Sequence, residues 1–192
     1  MFRLLLTAVA GALVAVPPVR SVQPDAPRAP ATNVVLRGAT VFDGSGAPGA
    51  KADVHIKGDR VAAVGKVEKV EGATELDAAG LYVCPGFIDL HTHCDTGSPA
   101  LTDAGGRPNQ NYVTQGVTTV VTGNCGSGPV DVARFFAALE AGGVGTNVIH
   151  QAPHNSIRSQ VMGNENRAPT ADELKRMEEL VERALDAGAV GL

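Results

Sequence analysis

The chain has 192 residues, a formal net charge of -4, and 44% hydrophobic against 19% charged residues. That balance fits a folded globular protein and argues against a disordered tail or a fibre. It has no basic patch with interleaved aromatics, so nucleic acid is not an expected partner.

Arg3 precedes an apolar run from Leu4 to Val16. The run has the length of a signal-peptide core and is too short to cross a bilayer as a mature helix. Residues 1–21 are therefore read as a signal peptide. The mature protein is expected to be exported, periplasmic or secreted, with no stable membrane insertion after cleavage. An uncleaved anchor is the alternative, and the lack of a cysteine directly after the apolar core argues against a lipid anchor. The Pro- and Ala-rich stretch that follows, 22–32, reads as a linker.

From Asn33 to Val83 the chain reads as a small β-module. Val34-Val35-Leu36 and Thr40-Val41-Phe42 are β-prone and flank Gly38, and Asp43-Gly44-Ser45-Gly46 is a turn signal. Val54-His55-Ile56-Lys57 and Arg60-Val61-Ala62-Ala63-Val64 flank Gly58-Asp59, a two-residue hairpin signature. His55 is most simply an outward-facing strand residue.

From residue 84 onward, strands alternate with helices. Pro85 to His93 is expected to be a buried strand, and the β-branched run Val117 to Thr122 suits a strand of a parallel sheet. Asp131 caps a helix carrying Val132, Phe135, Phe136 and Leu139, which Gly142-Gly143 ends. Asn147-Val148-Ile149 is a further strand. Thr170-Ala171-Asp172-Glu173 is a capping-box sequence that opens a helix with Leu174, Met177, Val181, Ala184 and Leu185 on one apolar stripe. Ala189 to Leu192 resembles the start of another strand. The class is α/β, and repeated strand-helix units suggest a β/α barrel, in which functional residues sit at the C-terminal ends of strands.

Strand side chains alternate faces, so Asp89, His91 and His93 project to one side. Two imidazoles on one face supply part of a zinc site, because a catalytic zinc keeps about three protein ligands and one open position. Cys125 follows the next strand between glycines, and a thiolate there is a plausible third donor. Asp89 either orients an imidazole or finishes the strand with a hydrogen bond, and Asp95 has the same two readings. His154 and Arg158 follow the third strand. They either line a pocket, where a guanidinium suits a substrate carboxylate, or pair within their loop. The three cysteines, Cys84, Cys94 and Cys125, cannot all pair. A strand between Cys84 and Cys94 would hold them well beyond the Cα separation of about 4.4 to 6.8 Å that a disulfide needs.

Pro85-Gly86-Phe87-Ile88-Asp89-Leu90-His91-Thr92-His93 resembles the first-strand motif of the metal-dependent amidohydrolase superfamily. Ile56-Lys57-Gly58-Asp59-Arg60-Val61 resembles part of its N-terminal β-sandwich. Gln115 to Gly126, ending in Gly-Asn-Cys-Gly, and His154 to Gly163 resemble the N-acyl-D-amino-acid deacylases, also called D-aminoacylases. The resemblance implies a (β/α)8 TIM-like barrel, present here as its first three to four strands over 84–192 and preceded by part of a small β-sandwich over 33–83. It also implies zinc-dependent hydrolysis of a small-molecule substrate, an N-acyl-D-amino acid, to a carboxylate and a D-amino acid.

Carried over by position, Cys125 is a ligand of a tightly held zinc, and His91 and His93 serve a neighbouring, weaker position, for one or two Zn2+ ions in all. The other family ligands, the general-base aspartate and the residues that grip the substrate carboxylate are expected beyond Leu192. Cys94 and Pro153 depart from residues frequent in relatives. The alternatives are another amidohydrolase such as a dihydroorotase-like cyclic amidase, or a non-catalytic metal-binding relative. The stretch after Val83 is less than half of the about 250 residues of such a barrel. The sequence is accordingly read as a fragment that would expose an unpaired sheet edge and lack deacylase activity by itself.

Overall fold

The computed structural model describes residues 32–192. The expected signal peptide, and all of the expected linker but Thr32, lie outside the described residues. Among those described, no helix is long and apolar enough to cross a membrane. The described residues form two compact units, one comprising 32–41 with Gly49–Val83, the other Phe42–Pro48 with Cys84–Leu192.

The first unit is one mixed sheet of β1 (Asn33–Val41), β2 (Ala50–Lys57), β3 (Arg60–Gly65), β4 (Thr74–Asp77) and β5 (Tyr82–Val83). Its order is β3-β2-β1-β4, with β5 also on β1. Within the described residues the expected sandwich therefore consists of one layer. Gly58, at φ 64°, lets the chain reverse so that Lys57 pairs with Arg60, as the hairpin signature requires. Where the sequence suggests two short strands around Gly38, the structure has one, with its register shifting between Leu36 and Ala39. A bulge absorbs the glycine without ending the ladder. Asp53 holds that bulge by accepting from Gly38 N at 2.8 Å and from the Arg37 guanidinium at 2.9 Å. Arg37 also pairs with Glu75, tying β1 to β2 and β4. His55 lies in β2, its Nε2 2.9 Å from Asn33 Oδ1.

The second unit is an α/β arrangement on a parallel sheet, β6 (Phe87–Asp89), β7 (Val117–Thr122) and β8 (Asn147–His150), in that order. The helices are α1 (Gln110–Val113), α2 (Val132–Gly142), α3 (His154–Met162) and α4 (Ala171–Asp186). Local signals in the sequence correspond to real caps. Asp131 accepts from Arg134 N at the start of α2, and Thr170 and Glu173 form a reciprocal capping box on α4. Glu173 also pairs with Arg167, and that hydrogen-bonded ion pair lowers its carboxyl to about 2. Val120 packs with Leu101, Phe135 and Leu139, while Val132, Ile157, Met162, Met177 and Ala184 form a second cluster among the helices. Within the α4 stripe, Met177 and Ala184 are buried, whereas Leu174 and Leu185 flank the contact and remain exposed.

The expected buried strand over Pro85–His93 is corrected to three residues, and Phe87, Ile88 and Leu90 are exposed. Among the described residues β6 pairs only with β7, so it is an edge of this sheet as described. Past its end the ladder continues, because Thr92 N donates to Val121 O at 3.1 Å. The expected strand at Ala189–Leu192 is not assigned as one. Even so, Val190 N donates to His150 O and Ala152 N to Gly191 O, which is parallel pairing beyond β8.

His150 is wholly buried at the end of β8, against Phe135 and Phe136, with ring centroids 5.0 and 6.4 Å away. Its Nε2 lies 3.1 Å from Pro129 O, and a carbonyl only accepts, so this nitrogen carries the proton. Nδ1 lies 2.7 Å from Thr122 Oγ1. Burial holds the imidazole below its ordinary pKa, outweighing the bond to Pro129 and the charge of Asp95. The unfolded chain binds this proton near about pH 6.5 and the folded chain only at lower pH. Stability from this group is therefore complete above about pH 6.5 and falls below it, by at most about 1.4 kcal/mol per pH unit. Thermal midpoints measured between pH 7.5 and 5 are expected to fall, and His150→Gln is expected to flatten that slope.

Candidate metal centre

His91 and His93 lie just past the end of β6, and Cys125 lies just past the end of β7. Their ligand atoms all fall within 4.8 Å of one another, and all three residues are exposed. Cys125 Sγ is 3.4 Å from His91 Nε2, and the two imidazole centroids are 5.4 Å apart. Donors on one tetrahedral zinc, at about 2.0 to 2.3 Å from it, lie roughly 3.3 to 3.6 Å apart. The cysteine-histidine spacing fits that figure, and two nitrogens with one sulfur form a borderline-soft set suited to zinc. Among the described residues the cluster contains no carboxylate.

The backbone explains how three exposed side chains share one place. Val121 O accepts from Thr92 N at 3.1 Å, Thr92 Oγ1 at 2.7 Å and Asn124 Nδ2 at 2.8 Å. The residue between the two histidines and the residue before the cysteine are thereby fastened to one carbonyl at the end of β7. Asn124 Nδ2 also reaches Thr92 O at 3.4 Å. Burial of Thr92 on the opposite face leaves His91 and His93 outward. Asn124–Gly126 is a tight, kinked turn rather than a regular helix, because Cys125 adopts the left-handed φ 54°, ψ 22°. Gly123 at φ 81° and Gly126 at φ 70° flank it, conformations that glycine enters without steric penalty.

Asp89 Oδ1 accepts from His91 N at 3.1 Å, so it holds the backbone as the strand ends. Asp95 is buried, with Oδ2 accepting from Gly123 N at 3.1 Å. Cys94 is half-buried beside Thr92, its Sγ 3.4 Å from Thr92 Oγ1, and desolvation raises its thiol. All three cysteines are free. His154 and Arg158 do not join the cluster. They line a groove of about 510 Å3 with Ile157, Leu174 and Met177. Arg158 donates to Glu165 O at 2.8 Å and Arg167 O at 2.9 Å, which commits its guanidinium to the loop after α3. Another cleft, of about 480 Å3, is bordered by His93, Cys94 and Asn109 to Tyr112. The sequence reading missed Asn124 and Asn155. Each donates a side-chain amide hydrogen bond to a carbonyl, Asn124 to Val121 O three residues away and Asn155 to Cys125 O thirty residues away, and only the second contact lacks any local signal.

Residues 74–192 match the family described as Amidohydrolase family. The chain belongs to the amidohydrolase family. It is 36% identical over 183 residues to a D-aminoacylase of Alcaligenes xylosoxydans xylosoxydans, covering 83% of this chain and 37% of that relative. A D-aminoacylase structure described by its binuclear metal centre superposes with TM-score 0.73 at 38% identity, over 83% of this amidohydrolase chain and 38% of the other. The N-acyl-D-glutamate deacylase of Bordetella bronchiseptica, in complex with zinc and a phosphonate mimic of the tetrahedral intermediate, superposes with TM-score 0.74 at 32% identity. That match covers 83% of this amidohydrolase and 37% of the deacylase. This amidohydrolase chain thus spans well under half the length of these relatives.

Proposed function

We propose that the protein is a zinc-dependent amidohydrolase that cleaves N-acyl-D-amino acids to a carboxylate and a D-amino acid. The observation that carries this reading is the juxtaposition of His91, His93 and Cys125 at the ends of two adjacent parallel strands. Similarity to D-aminoacylase over 83% of the chain supports the substrate class. The parallel order β6-β7-β8, continued by the bonds of Val190 and Gly191, supports reading this sheet as the opening of a (β/α)8 barrel.

In this reading His91, His93 and Cys125 hold one or two zinc ions, and Asp89 fixes the backbone of His91. A zinc ion held there supplies a Lewis acid for the amide carbonyl and lowers the pKa of water towards about 7. The departing amine needs a proton, and an aspartate outside this cluster is assigned that transfer. Arg158, engaged by two carbonyls, is not assigned the grip on the substrate carboxylate. Export completes the proposal and rests on Arg3 and the apolar run that follows. It is checked by sequencing the N-terminus of the mature protein.

The 192-residue chain assayed alone is expected to bind zinc without turnover, because its donor cluster lacks a carboxylate to move the proton. A chain of the relatives' length that carries these residues is expected to release the D-amino acid from its N-acetyl derivative. Chelation should stop that reaction and added zinc restore it. Equal hydrolysis of the L-enantiomer, or turnover only of a cyclic amide, would contradict the proposed substrate class. Tight zinc binding without hydrolysis at that length would favour a non-catalytic relative.

A further inference from the structure

We infer that Asn155 is a positioning residue for the Cys125 thiolate. The inference rests on the metal-binding reading above and assigns a role to a side chain that touches no metal ligand atom. Cys125 is exposed, so packing does not orient its Sγ, and its left-handed backbone is one that non-glycine residues rarely adopt. Something must hold that turn. Asn155, in the first turn of α3, donates from Nδ2 to Cys125 O at 2.8 Å.

Further contacts make this bond a clamp. Because a carbonyl only accepts, Cys125 O fixes Nδ2 on its side of the amide, and Oδ1 faces the other way, 3.4 Å from His154 Nδ1. Gly126 presses against the same residue, since a Cβ there would sit 2.9 Å from Asn155 N and 3.0 Å from its Cγ. Two residues on, Gly128 N donates to Ser156 Oγ at 3.1 Å. The loop that presents the thiol is thus fastened to the helix after β8, while the imidazoles are fastened to β7 through Thr92. Releasing Asn155 frees the turn on one side only, so the sulfur loses its register with His91 Nε2 while the histidines stay in place.

Asn155→Ala and the isosteric Asn155→Asp test this, each in the parent and in a Cys125→Ser background. The 192-residue chain is titrated with Co2+ against a chelator, and the near-ultraviolet thiolate-to-cobalt band is recorded. Both variants are expected to weaken Co2+ binding by about tenfold or more and to diminish the band, since partners of metal ligands typically contribute about 10- to 100-fold in affinity. In the Cys125→Ser background neither is expected to weaken binding further. Unchanged affinity and band, or the same loss with and without Cys125, would overturn the inference. Loss of far-ultraviolet circular dichroism in both variants would also overturn it, making Asn155 a residue of the fold. A parent chain that binds Co2+ with no thiolate band would instead remove Cys125 from the metal site, and the inference with it.

Discussion

Replacing Cys125 with serine is expected to lower the affinity of the chain for zinc at least about a hundredfold. Structural zinc sites of four ligands bind with about 10 to 16 kcal/mol, so one ligand accounts for roughly 3 kcal/mol, or about two decades. Serine keeps the shape but not the chemistry, because a thiol ionises near about pH 8.5 and is deprotonated outright by the metal. Its Sγ lies 3.4 Å from His91 Nε2, so the lost donor faces the remaining ones directly. Zinc competition with a chromophoric chelator measures the change. Cys84→Ser and Cys94→Ser serve as controls, since neither thiol belongs to the cluster. If either control lost as much affinity as Cys125→Ser, the sulfur donor would have been misassigned.

Gly123→Ala is expected to damage the second unit severely. Its φ of 81° alone costs an alanine roughly 1 to 2 kcal/mol. The added carbon would also run into the carbonyl oxygen of Gln151 and lie about 3.0 Å from that residue's carbonyl carbon. This obstacle is backbone just beyond β8, pinned by the bond from Gln151 N to Thr122 O, so it cannot rotate aside as a side chain would. A total of about 3 to 5 kcal/mol is expected, a large share of the usual 5 to 15 kcal/mol of a domain. Gly58→Ala separates the two causes, because φ there is 64° but nothing lies within 4 Å of the added carbon. Chemical denaturation of both variants is expected to show Gly123→Ala losing far more stability. Similar losses would mean that backbone conformation, not the close approach of Gln151, decides the cost.

Features set by neighbouring residues were legible in the sequence. The Gly58-Asp59 turn, the Asp131 cap and the Thr170-Glu173 box each depend on contacts within a few positions, and each is present. The His-x-His spacing was legible for the same reason, although the reading gave it too long a strand. β6 stops at Asp89, and beyond it the burial of Thr92 together with its bonds to Val121 O sends both imidazoles outward. The helix α3 had no strong pattern, since only Ile157 and Met162 of its nine residues are buried. Asn155 was invisible as a partner of Cys125 because their bond spans thirty positions and exists only once β7 and β8 lie side by side. The same holds for His150, whose burial depends on the two phenylalanines of α2.

The central claim is that Cys125 joins His91 and His93 in one metal centre. Zinc-edge X-ray absorption of the zinc-loaded protein tests it most directly. The expected spectrum contains one sulfur scatterer at about 2.3 Å and imidazole nitrogens at about 2.0 to 2.1 Å, with the sulfur shell lost in Cys125→Ser. A shell of nitrogen and oxygen alone in the unsubstituted protein, or a sulfur shell that survives Cys125→Ser, would contradict it.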